Sequence, residues 1–121
     1  MIPDKYKPKP SETLRQKQSR FVLMVAGLIE YAYSLGYEMT FAEAYRSPEQ
    51  AASNAKSGKG IANSLHTQRL AIDLNLFLGG KWMDTTADHE PLGIWWESMG
   101  GAWGGRFKDG NHYSLEHEGR K

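Results

Sequence analysis

The chain of 121 residues contains no cysteine. Disulfides, thiolate nucleophiles and Cys-ligated structural zinc are therefore excluded. Any metal must be held by histidine and carboxylate, a donor set that suits a catalytic site more than a closed structural one. Long apolar runs are missing too. The longest, Phe21 to Leu28, is too short to span a bilayer. No N-terminal stretch combines the charged start, apolar centre and small-residue cleavage site of a signal peptide, so the chain is expected to stay in the compartment where it is made. The net charge is only +1, which argues against a dedicated nucleic-acid binder. Repeats and low-complexity tracts are also absent. Basic residues do gather at the ends, as Lys5, Lys7, Lys9, Arg15, Lys17 and Arg20, then Arg120 and Lys121. They read as a solvated face, with weak attraction to an anionic surface or polymer as the alternative.

What is present fits one folded domain: 40% hydrophobic and 12% aromatic residues in a length that allows a real core. Residues 1–10, with Pro3, Pro8 and Pro10, read as a mobile extended lead, and 11–121 as the single domain. Thr13 and Gln16 have capping-box spacing. Leu14, Phe21, Met24, Val25, Leu28, Ile29 and Ala32 then recur at helical spacing up to Gly36. Tyr37 to Tyr45 alternates as a strand. Ser47-Pro48-Glu49-Gln50 predicts a helix start, with Ser47 as cap, Pro48 first in the helix and Gln50 closing a capping box. Leu70 to Leu78 alternates with period two and reads as a strand with one very apolar face. Gly79-Gly80 turns it into a hairpin with Lys81-Trp82-Met83. Asp84 to Glu90 reads as polar loop, Pro91 to Met99 as a short helix, and 111–117 as a final strand. Helices and strands mix without βαβ regularity. The class is therefore α+β: a small, mostly antiparallel sheet with flanking helices.

His66 and Asp73 stand seven positions apart, and Asp109-Gly110-Asn111-His112-Tyr113 offers a second histidine. Two imidazoles and a carboxylate leave one position open on a zinc ion. On a straight strand His66 and Asp73 would lie roughly 23 Å apart on opposite faces. His66 must therefore sit on a loop that folds back over the strand, and Gly58-Lys59-Gly60 with Asn63-Ser64 has the composition for one. Gly110 permits a bend that could hang Asp109 beside the metal without ligating it, where a general base belongs. Arg46 ends a strand ahead of a helix cap, a place from which side chains enter sites. His89 reads as a surface histidine in loop and His117 as terminal surface. Glu116 shares the His112 face and could approach the site. Trp95, Trp96 and Trp103 read as core and cleft wall.

Taken together, Ser64-x-His66, Ala71-x-Asp73, Trp103-Gly104-Gly105, Asp109-x-x-His112-Tyr113 and Tyr45-Arg46-Ser47-Pro48-Glu49-Gln50 resemble the zinc peptidoglycan peptidases. That family includes the D-Ala-D-Ala carboxypeptidases and dipeptidases and the phage L-alanyl-D-glutamate endopeptidases. The resemblance covers roughly residues 37–115 and is strongest to single-domain phage endolysins. It implies one Zn²⁺ per chain on His66, Asp73 and His112 at the sheet face. It implies Asp109 as acid/base, Arg46 as the residue that binds substrate or steadies the oxyanion, and Ser64 and Gln50 in supporting positions. The implied activity is hydrolysis in peptidoglycan stem peptides, with L-Ala–D-Glu preferred. A D,D-carboxypeptidase or dipeptidase, or a non-catalytic zinc-containing wall-binding relative, is the alternative. The implied enzyme is a monomer made in the host bacterial cytoplasm that acts on the wall after release. Two departures stand out: Arg69 where many members have glycine, and Asn111 where proline is common.

Overall fold

The computed structural model describes residues 1–58, 60–61 and 63–121. Lys59, in the loop expected before His66, lies outside the described residues. Helix α1 spans Leu14–Ser34, and Thr13 and Gln16 form the expected capping box with both reciprocal bonds. It buries Phe21, Met24, Val25, Leu28 and Ala32 along one stripe, the spacing of a helix laid on a sheet. Strand β1 (Tyr37–Phe41) follows, then α2 (Pro48–Lys56), β2 (Ala71–Leu78), β3 (Lys81–Trp82), α3 (Thr86–Ser98), β4 (Ala102–Trp103) and β5 (His112–Ser114). The sheet is antiparallel throughout, in the order β1-β2-β5-β4, with β3 paired to the far end of β2. This is the expected α+β class.

Along β2, Ile72, Leu74 and Leu76 are buried while Asp73, Asn75 and Phe77 are half-buried. The period-two pattern thus divides the strand between a core face and a working face. The core joins α1 to α3 through edge-on contact of Phe21 with Trp96 at 5.8 Å, and Trp95 stacks on Tyr31 at 5.5 Å. Leu74 is fully buried; truncating such a leucine to alanine costs about 2–5 kcal/mol.

Several sequence expectations change. Regular pairing in β1 stops at Phe41, not Tyr45, although Ala42 and Glu43 still exchange backbone bonds with Asp73. The final strand shrinks to His112–Ser114. Residues 1–10 contain a 3₁₀ turn at Asp4–Tyr6 that plants Tyr6 in the core, edge-on to Trp95. Tyr6 is the apolar residue that a proline-rich composition hid. The stretch read as polar loop begins α3, because Thr85 and Asp88 form a capping box that starts the helix before Pro91. His89 is consequently buried, not superficial, with Nδ1 2.7 Å from the Tyr113 hydroxyl. Ser47 caps α2 as expected, but the reciprocal bond is not formed: Gln50 is exposed and its amide donates to Asn54.

Candidate metal centre and active site

Asp73 and His112 meet because β2 and β5 pair in a register that sets them directly opposite, where facing side chains lie within contact. His66 arrives from a 3₁₀ turn at Leu65–Gln68, capped by the Ser64 hydroxyl, which accepts from the His66 N–H at 3.2 Å. The turn closes at Arg69 in left-handed conformation, φ 56°, and Leu70 N–H bonds back to Leu65 O. That conformation favours glycine, so the departure at Arg69 falls where the backbone makes it matter. The Arg69 guanidinium stacks 4.0 Å over the Tyr45 ring.

The donor atoms converge. Asp73 Oδ1 lies 3.3 Å from His66 Nε2 and 3.2 Å from His112 Nδ1, and one donor atom from each residue lies within 4.8 Å of the others. His66 and His112 are buried. His66 Nδ1 sits 2.9 Å from Ala44 O. A carbonyl only accepts, so Nδ1 carries the proton and Nε2 is the lone pair turned to the centre, the orientation that metal-binding histidines receive from a second partner. His112 Nε2, in contrast, is buried with no partner among the described residues. Two imidazoles and a carboxylate are a donor set that suits zinc, and their atoms lie close enough together to hold a single ion.

Electrostatics in the absence of metal agree with a cation site. Burial works against the Asp73 charge, but bonds from His112 and His66 outweigh it and hold the carboxyl at about 2. Burial also works against a charged His66, yet the Asp73 carboxylate and Ala44 carbonyl raise its pKa overall.

Asp109 Oδ2 lies 3.9 Å from His112 Nδ1, beside the cluster. About half of its side chain is exposed, 52%, yet partial desolvation raises its pKa, opposed by His112 and reinforced by the Asp73 carboxylate. A raised carboxyl is suited to exchanging protons. The bend that presents it is a turn closed by His112 N–H to Asp109 O at 3.1 Å, with positive φ at Lys108 rather than at Gly110. Gly110 is required for another reason: a Cβ there would stand 2.5 Å from Thr86 Cα. At Gly104 a Cβ would stand 2.2 Å from Asp109 O. Trp103 Nε1–H donates to Gly110 O at 2.7 Å and fixes the turn from below.

The segment 43–46 clamps the site from the other side. Glu43 O accepts from Asp73 N–H at 2.7 Å, Ala44 O holds His66, and Arg46 N–H donates to His66 O at 3.2 Å. Arg46 itself pairs with Glu43, whose Oε1 accepts from Nε at 3.0 Å and from Nη2. Glu43 Oε1 is 4.0 Å from His66 Nε2. Sequence reasoning singled out Arg46 but neither Glu43 nor the Ala44 carbonyl. A backbone acceptor leaves no sequence signal, and Glu43 showed only as a carboxylate three residues before an arginine. Gln50 is exposed and its amide donates to Asn54, and the Glu116 backbone carbonyl accepts from Lys17.

Residues 57–115, which contain His66, Asp73, Asp109 and His112, match the family model described as D-alanyl-D-alanine carboxypeptidase. No curated protein sequence matches the chain. Among solved structures, the fold is similar to that of the Serratia marcescens L-Ala D-Glu endopeptidase ChiX, with a TM-score of 0.70 at 18% identity over 85% of this chain and 83% of that one. The structural likeness speaks for the fold, and the sequence match adds the segment that carries the site. Together, the segment that carries the site is similar to a D-alanyl-D-alanine carboxypeptidase family, and the fold is similar to that of a peptidoglycan endopeptidase.

Proposed function

We propose that the protein is a zinc-dependent peptidase of peptidoglycan stem peptides that cuts between L-Ala and D-Glu and works as an endolysin of the phage type, reaching the wall after release from the cytoplasm. The observation that carries the reading is the convergence of His66, Asp73 and His112 donor atoms with Asp109 at their edge. The preference for L-Ala–D-Glu is supported by the named activity of the structural neighbour. The similarity of residues 57–115 to the D-alanyl-D-alanine carboxypeptidases favours a second reading, removal of a terminal D-alanine.

When bound, zinc acidifies a water and polarises the scissile carbonyl. The chain's own residues do the rest. His66 and His112 supply neutral nitrogen lone pairs, and Asp73 supplies an anionic oxygen that stays ionised at any working pH. Asp109 Oδ2 accepts the proton of the attacking water and returns it to the leaving amine. Arg46 offers hydrogen bonds to a substrate carboxylate or to the carbonyl oxygen as charge develops there.

Purified peptidoglycan incubated with the zinc-loaded protein should yield new C-terminal L-Ala and N-terminal D-Glu ends by mass spectrometry. Release of free D-alanine would support the second reading instead. No new termini of either kind would refute the peptidase.

A further inference from the structure

We propose that Glu43 is a positioning residue whose anionic carboxylate allows the Arg46 guanidinium and a divalent cation to occupy neighbouring places in this site. The inference rests on the zinc reading above. Two positive groups are asked to share a small space. Arg46 is largely buried, with 13% of its side chain exposed, and a buried guanidinium without a counter-charge is strongly unfavourable. A cation held on His66 Nε2 would be repelled by this neighbouring positive charge. Glu43 Oε1 stands between them, bonded to Arg46 Nε and Nη2 on one side and 4.0 Å from His66 Nε2 on the other.

The position is built and not incidental. The Glu43 backbone carbonyl holds the Asp73 N–H, and the Arg46 N–H holds the His66 carbonyl. The carboxylate and guanidinium are therefore both carried by the same short segment that orients two of the three donors. Glu43 engages the Nε and Nη2 edge of the fork and so fixes its orientation as well as neutralising it.

The test uses metal affinity and needs no substrate. Chelator-stripped wild type, Glu43→Gln, Arg46→Gln and the double variant are titrated with zinc in competition with a chromophoric chelator, and each apo form is followed by circular dichroism. Glutamine keeps the shape of Glu43 and removes its charge. Glu43→Gln should bind zinc about 10–100-fold more weakly, the loss typical when a group supporting metal ligands is changed. Arg46→Gln should bind zinc as tightly as wild type or more so. The double variant should regain most of the loss, because the unscreened positive charge is gone; this coupling is what a double-mutant cycle reads. Wild-type affinity in Glu43→Gln, or a double variant as weak as that single one, overturns the inference. If Glu43→Gln does not fold, a folded double variant that binds zinc supports the same charge argument, and an unfolded one overturns it. A wild-type chain that binds no zinc would refute the proposed function itself, and is read before any variant is made.

Discussion

Replacing Asp73 with asparagine tests the electrostatics of the centre without metal or substrate. Asp73 accepts from two imidazoles, and its carboxyl lies at about 2 against an ordinary 3.8. Only 21% of its side chain is exposed, so solvent screens it little. The difference corresponds to roughly 2 kcal/mol of folding stability in the apo protein, at about 1.4 kcal/mol per pKa unit. The folded-state pKa is depressed, so this stability is present above the unfolded value and is lost as pH falls from about 4 toward 2. His66 has the opposite sign. Its folded pKa is raised, so its share is present below about 6.5 and is lost as pH rises through the folded value. The two shares describe largely one interaction and are not added. Asp73's change is the larger because it collects two bonds, whereas His66's gain is offset by burial. In urea unfolding of chelator-treated protein, followed by tryptophan fluorescence, Asp73→Asn should be less stable than wild type by about 2 kcal/mol near pH 5–6. The gap should narrow toward both about pH 2 and about pH 9. A gap that is constant with pH, or widest at acid pH, would refute the account.

Asp109→Asn should keep fold and zinc content while turnover falls about 10²–10⁴-fold; zinc content, melting temperature and peptidoglycan cleavage are measured on the same sample, and retained cleavage would remove Asp109 from the mechanism. Wild-type activity should fall at acid pH as Asp109 and the zinc-holding residues take up protons; a pH–rate profile reads it. Gly104→Ala should damage the 109–112 turn, since the new methyl would meet the Asp109 carbonyl; a loss of zinc affinity and turnover larger than the change in melting temperature is the expected signature. Removing zinc with a chelator should leave most of the circular dichroism intact, because the core of α1, α3 and β2 contains no metal ligand side chain.

The local patterns of this chain were enough for its long elements. The stripe from Phe21 to Ala32, the alternation of Leu70 to Leu78 and the Ser47-Pro48 cap each depend on near neighbours, whose spacing is written in the order of residues. The residue types of the site were legible for a similar reason: with no cysteine, only histidine and carboxylate could serve, and few histidines were available. The impossibility of a straight strand between His66 and Asp73 already demanded a loop that folds back. What local order could not contain was decided by tertiary contact. Asp73 meets His112 through a strand register between residues 39 positions apart. His89 is buried because a capping box starts α3 earlier than Pro91 suggested. Ala44 takes part through a carbonyl that every residue possesses, and only the folded chain selects which one faces His66. Glu43 and Arg46 form an ion pair beside the donors because the segment after β1 is held against β2 and the His66 turn by backbone bonds. Residue order thus supplied the chemistry available, and the packing of distant segments determined which groups stand within reach of one another.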